Sequence, residues 1–185
     1  YHDNTYCTAT SPEKSKGSVV ICPDVPDTST HESVMYWVNQ RGHAAYYPRY
    51  QGSMQSHGSF LGSHPGQTIA SFTEDVPEQP VVFLGIGFGS LVALSAATTV
   101  DVDGIIAYDP WWDVDLLEDT DYFQALYDHH HYLYRDPPDD TFTQLRSFES
   151  LYPYEYVDAV ETPVLAFVGD EPSVPKGASE EMQDL

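Results

Sequence analysis

Residues Val81 to Thr98, VVFLGIGFGSLVALSAAT, constrain the fold of this chain more than any other stretch. Val81 to Leu84 reads as a buried strand, and Ser90 to Thr98 reads as an apolar helix. Between them stand three alternating glycines, Gly85, Gly87 and Gly89. A chain that turns sharply from strand to helix needs small residues on both sides of the turn, because a Cβ there collides with the backbone packed behind it. Such a turn lifts its central residue above the sheet. Here that residue is Gly87, which has no side chain to present.

The neighbouring segments supply more strands of the same kind. Gly17 to Cys22 is a β-branched run closed by Pro23 and Asp24, which predicts a buried parallel strand ending in a loop. Ser29 or Thr30 caps the predicted helix that follows, with Val34, Trp37 and Val38 as its apolar stripe and Arg41-Gly42 as its end. His43 to Tyr47 restarts as a strand stopped by Pro48. Gln51 to Pro80 is rich in Gly, Ser, Pro and His, with a helical candidate only around Thr68 to Glu74. Gly104 to Tyr108 is the next strand, ending at Asp109-Pro110, and Pro163 to Val168 is the last. Alternating strands and helices predict an α/β fold around a mostly parallel sheet. From Trp111 to Tyr156 the texture changes to acids, aromatics and a histidine triplet, with helical candidates at Leu116 to Tyr134 and Phe142 to Leu151. That segment is too long for a plain connection and reads as an insertion (residues 111–156), either a cap over the sheet edge or an elaborated crossover, within one domain spanning residues 1–185.

Aspartate and glutamate number 29 against 7 lysines and arginines, a formal net charge of −22. Nucleic acid is a poor partner for such a surface. With 41% apolar residues the charge reads as a solvated coat on a folded domain, of the kind a high-salt cytoplasm favours, as in a halophilic archaeon. Cys7 and Cys22 are the only cysteines, and Cys22 closes an apolar run, so a buried free thiol is expected there and a disulfide framework is not. No run of 18 apolar residues occurs and the N-terminus lacks a signal-peptide core, which predicts a soluble cytoplasmic protein without membrane segments.

Three blocks together resemble the dienelactone hydrolase family, a branch of the α/β-hydrolases. They are KGSVVICPDVPDTSTHESVMYWVNQRGHAAYYPRY, then VVFLGIGFGSLVALSAA with VDGIIAYDP, then DAVETPVLAFVGDEPSVPKGASEEM. The resemblance implies an α/β-hydrolase-like sheet flanked by helices, short at its C-terminal end. It also implies a nucleophile at the elbow motif G-x-S-x-G or G-x-C-x-G, an acid after the penultimate strand and a histidine after the last. Gly87 occupies the nucleophile position. Asp170 or Glu171 stands for the acid, in Gly169-Asp170-Glu171-Pro172, and no histidine follows His131. The family also keeps an acid after its early strand, and Asp24 lies there.

Nucleophilic hydrolysis needs an attacking atom, a base and donors aimed at the developing oxyanion. Only the donors remain. The backbone N–H groups of Phe88 and of the Asp24 to Pro26 loop, which includes Val25, suit a small anionic or carbonyl ligand, helped by the helix dipole. The expectation is a non-catalytic protein that binds a ligand or a protein partner at the elbow, with a carboxylic-ester or lactone hydrolase using displaced residues as the alternative. In that alternative Ser90 is the substitute nucleophile, although its place on the first helical turn suits a hydroxyl bonded to local backbone. The same glycines half-match a dinucleotide fingerprint, with Asp109 as its acid and Ser90 where the third glycine belongs. Asp128 to His131, with His57 and His64, lack paired metal-ligand spacing, so neither metal nor cofactor is expected. Trp111, Trp112, Tyr122, Phe123 and Tyr127 are candidates to pack a cap or line a pocket over the elbow. A sheet left short at its end exposes an edge for a second copy or another partner.

Overall fold

The computed structural model describes residues 5–25, 31–111, 128–148 and 151–169. Six strands, β1 (Cys7–Thr10), β2 (Ser18–Cys22), β3 (Ala44–Pro48), β4 (Val81–Ile86), β5 (Gly104–Tyr108) and β6 (Val164–Phe167), form one sheet in the order β1-β3-β2-β4-β5-β6. Only β1 runs antiparallel, against β3. The parallel register sets Ser18 beside Val81 and Cys22 beside Gly85, then Val82 beside Gly104 and Ile105 beside Val164. Loops following parallel strands therefore open at one edge, which collects Asp24, Gly87 and Asp109.

The larger core lies on one face, under α2 (Pro65–Glu74) and α3 (Phe88–Ala97), where Val81, Phe83 and Ile105 meet Ile69, Phe72, Leu91 and Leu94. Each such side chain contributes about 1.5–3 kcal/mol by leaving water. Residues Phe88 to Ala96 of α3 are all buried, which is why this helix is apolar all round. On the other face α1 (Glu32–Gln40) covers a smaller cluster of Ile21, Met35, Ala45 and Tyr47.

Several local expectations need correcting. The cap position of α1 falls at His31, in the left-handed region at φ 48° with no side-chain cap bond, and the expected caps Ser29 and Thr30 lie outside the described residues. Val34 and Val38 pack inward with Met35, but Trp37 is 59% exposed, on the helix flank beyond the small cluster, with Arg41 over its ring. Helix α2 begins at Pro65, three residues before the expected start, because His64 caps it through Nδ1, accepting from the N–H groups of Gly66 and Gln67. Strand β1 was not expected at all. Within residues 111–156, α4 (Thr141–Arg146), capped by Asp140, is shorter than the predicted Phe142 to Leu151 helix, and α5 (Pro153–Tyr156) adds one turn. The Leu116 to Tyr134 candidate lies largely outside the described residues, and its end, His131–Leu133, is a single 3-10 turn.

The segment after Asp128 packs on the irregular crossover that follows β3. Tyr134 stacks on Phe60 with centroids 4.0 Å apart, and backbone bonds join Met54 to Leu133, Phe60 to Arg135 and Arg135 to Gly52. The two parts of the chain outside the family-like blocks thus satisfy each other's backbone groups. Leu145 and Leu151 reach into the larger core from there.

Candidate functional site

The site forms where β4 turns into α3. Gly87 adopts φ 52° and ψ −118°, a conformation that side chains on Cβ disfavour strongly. Its N–H donates to the Tyr108 carbonyl at 3.0 Å, and its own carbonyl accepts from Ser90 and Trp111 at 3.0 and 3.2 Å. The flanking glycines answer to close packing. A Cβ on Gly85 would fall 2.5 Å from the Ser90 Cα, and one on Gly89 would collide with the Cys22 carbonyl. The turn therefore needs glycine on either side for space and tolerates its central residue only under strain.

The space above Gly87 belongs to Asp24. A Cβ built on Gly87 would lie 2.5 Å from each carboxylate oxygen of Asp24 and 2.6 Å from its Cγ. Asp24 Oδ1 accepts from the Val25 N–H at 2.8 Å and from the Phe88 N–H at 2.9 Å. These are the two donors expected to receive a ligand's oxygen. Both are engaged by a carboxylate of the chain itself, with the α3 dipole behind one of them.

Tyr50 and Trp111 steady this arrangement. The Tyr50 hydroxyl donates to the Pro23 carbonyl at 2.7 Å, fixing the loop that carries Asp24, and its ring meets Phe88 edge-on at 6.0 Å. Trp111 meets Phe88 from another side at 6.0 Å and is itself buried. Tyr50 carries no sequence signal, because it falls between the strand end at Pro48 and the stretch from Gln51, with no periodicity to mark it. Trp111 does stand against the elbow. Trp112, Tyr122, Phe123 and Tyr127 lie outside the described residues.

Ser90 is 0% exposed, and its Oγ is buried without a hydrogen-bond partner among the described residues. It faces protein and not solvent, so no substrate reaches it in this conformation. Asp170 and Glu171 lie outside the described residues; β6, which leads to them, runs parallel beside β5, and the Phe167 carbonyl accepts from the Asp109 N–H at 2.8 Å. The helix-start amide that a dinucleotide phosphate would use is engaged by Asp24, whose charge repels an anion there.

His64 caps α2, and burial lowers its pKa below the ordinary 6.5, opposed by a weaker backbone hydrogen bond. His131 Nδ1 lies 2.6 Å from the Asp128 carbonyl, and His129 meets His130 edge-on. No group of three or more metal-binding side chains occurs among the described residues. Burial drives the Cys22 thiol pKa far up and raises that of Cys7 to about 11, so neither carries a thiolate at neutral pH. No described helix is long and apolar enough to cross a membrane.

No model of a known protein family matches the chain, and no curated protein matches its sequence. Solved structures do match its fold. Alpha/beta hydrolase domain-containing protein 10 from mouse superposes with a TM-score of 0.71 at 18% identity, over 98% of this chain and 80% of that one. The monoacylglycerol lipase of Paleococcus ferrophilus gives 0.68 at 16% identity, over 97% and 83%. An esterase from Exiguobacterium antarcticum gives 0.67 at 17% identity, over 97% and 82%. The chain has the α/β-hydrolase fold, as its sequence pattern predicts.

Proposed function

We propose that this chain is a non-hydrolysing protein of the α/β-hydrolase fold, built on the dienelactone-hydrolase order of motifs, in which the elbow is a recognition site. The observation that carries this is the Asp24 carboxylate, seated in the Val25 and Phe88 N–H pair directly over Gly87. Acyl transfer requires that pair to be open to the charge that develops on the substrate oxygen. Here the chain's own Asp24 carboxylate fills it. The same geometry removes the attacking atom, since Gly87 offers none and a side chain there would collide with Asp24. The burial of Ser90 weighs against a displaced nucleophile.

A small carboxylate or carbonyl ligand, the class these donors suit, has to displace Asp24. Recognition at the elbow is then an exchange of one acceptor for another, governed by how readily the Asp24 loop moves. The acidic composition supports a protein of a high-salt cytoplasm, where the coat stays hydrated and screened. The test of the central point is an assay with an activated aryl ester and an activated lactone. The expected result is no turnover above the uncatalysed rate. Saturable turnover that Ser90→Ala abolishes would establish the hydrolase alternative instead.

A further inference from the structure

Pro23 precedes Asp24, and its ring fixes one of the two torsions that aim the peptide between them. The other is held from outside. The Tyr50 hydroxyl, on a residue 4% exposed, donates to the Pro23 carbonyl at 2.7 Å. The same carbonyl passes close over α3, where a Cβ on Gly89 would fall 2.7 Å from its oxygen. Pro23 is buried, while Asp24 itself is half-buried and reaches solvent. The peptide that carries Asp24 is thus pinned although its carboxylate is not sealed in.

Tyr50 is braced in turn. Its carbonyl accepts from the Ser53 N–H at 3.1 Å and from the Ser53 Oγ at 2.8 Å, and its ring stands edge-on to Phe88. The chain after His131 closes over this turn. Tyr134 pairs with Ser53 in an isolated antiparallel bridge, the Arg135 N–H donates to the Gly52 carbonyl at 2.7 Å, and the Met54 N–H donates to the Leu133 carbonyl at 2.8 Å. One hydroxyl therefore joins a braced turn to the loop that overhangs Gly87.

A ligand oxygen enters the elbow only when Asp24 gives up the Val25 and Phe88 N–H groups. Val25 follows Asp24 directly, so one donor and the acceptor that blocks both belong to the loop that Tyr50 pins. We infer, on the basis of the exchange proposed above, that Tyr50 is the positioning residue that regulates it. The bond from Tyr50 to the Pro23 carbonyl holds Asp24 in the donor pair and so sets the affinity of the site for a small carboxylate. One neutral hydrogen bond biases such an equilibrium about fivefold.

The test titrates the isotopically labelled chain with acetate at neutral pH and constant ionic strength, following the Val25 and Phe88 amides. Tyr50→Phe, which removes only the hydroxyl, should bind acetate about fivefold more tightly than the parent. Ser53→Ala, which loosens the Tyr50 turn, should shift affinity in the same direction and serves if Tyr50→Phe fails to fold. In the Asp24→Ala background, where no carboxylate is left to hold, Tyr50→Phe should bring no further gain. Ile69→Val, a truncation in the core on α2, lowers stability without touching the loop and should leave acetate affinity unchanged. Unchanged affinity in Tyr50→Phe and Ser53→Ala, while Asp24→Ala binds acetate, overturns the role of Tyr50 and leaves the elbow proposal standing. So does a gain that persists in the Asp24→Ala background or appears equally in Ile69→Val, since Tyr50 then acts on something other than the seat of Asp24. Acetate that moves neither amide in any variant, Asp24→Ala included, overturns the elbow proposal itself and the role of Tyr50 with it.

Discussion

The Asp24 carboxylate stands over the α-carbon of Gly87, in the place where a side chain at this turn would project. The two residues are 63 positions apart and meet because the β2–β4 register sets Cys22 beside Gly85, so the loop after one strand overhangs the turn after the other. Each explains the other. Glycine at 87 leaves room for the carboxylate, and the carboxylate occupies the donors that a reacting oxygen would need.

Replacing Asp24 by alanine leaves the Val25 and Phe88 N–H groups without their carboxylate. Hydrogen bonds to a charged group are worth about 1.5–3 kcal/mol, so the variant should unfold several degrees below the parent. Formate or acetate should then enter the vacated site and raise the midpoint of Asp24→Ala, with little effect on the parent at the same ionic strength. Thermal unfolding with formate, acetate and chloride as parallel additions checks this.

Gly87→Ala should be destabilising on two grounds, strain at φ 52° and collision with Asp24. The strain alone costs about 1–3 kcal/mol. Only the collision depends on Asp24. The double variant Gly87→Ala with Asp24→Gly should therefore be more stable than the sum of the two losses by about 0.5–3 kcal/mol, measured by denaturant unfolding in a double-mutant cycle.

The turn was legible because alternating glycines after an apolar run are a local signal. The placing of Asp24 at the end of its strand was legible too, through the resemblance. Its contact with Phe88 was not, because that depends on the register between β2 and β4, which neither strand states alone. Strand β1 escaped notice for a related reason: CTAT is short and mostly polar, and only pairing with β3 makes it a strand. Trp37 falls on the apolar stripe of α1 because helical spacing marks a stripe without saying how wide a surface lies beneath it. Here the cluster under α1 is narrow, and the indole lies outside.

His64 predicts a specific pH response. Its Nδ1 accepts two backbone N–H groups, which requires a neutral ring, and burial depresses its pKa in the folded chain. Above the unfolded value of 6.5 both states are neutral and its contribution is complete. As pH falls below 6.5 the unfolded chain takes up the proton first, and stability is lost progressively down to the folded pKa. His64→Asn, which keeps a capping oxygen, should flatten that part of the curve, read as the difference between the two proteins' unfolding midpoints.

The net charge of −22 should make the fold salt-dependent. Raising potassium chloride from 0.1 M to 1 M shortens the screening length from about 10 Å to about 3 Å and weakens repulsion across the coat. The unfolding midpoint should rise over that range. An unchanged midpoint would remove the support for a high-salt setting.

The most direct measurement is the amide spectrum of the isotopically labelled chain, following Val25 and Phe88 as the solution is acidified. One carboxylate oxygen accepts from both N–H groups, so both proton shifts should move together with a single midpoint as Asp24 takes up its proton, and Asp24→Asn should abolish both movements. Amides that respond independently, or that titrate unchanged in Asp24→Asn, would show that Asp24 does not fill the donor pair and would leave the elbow open to a substrate oxygen.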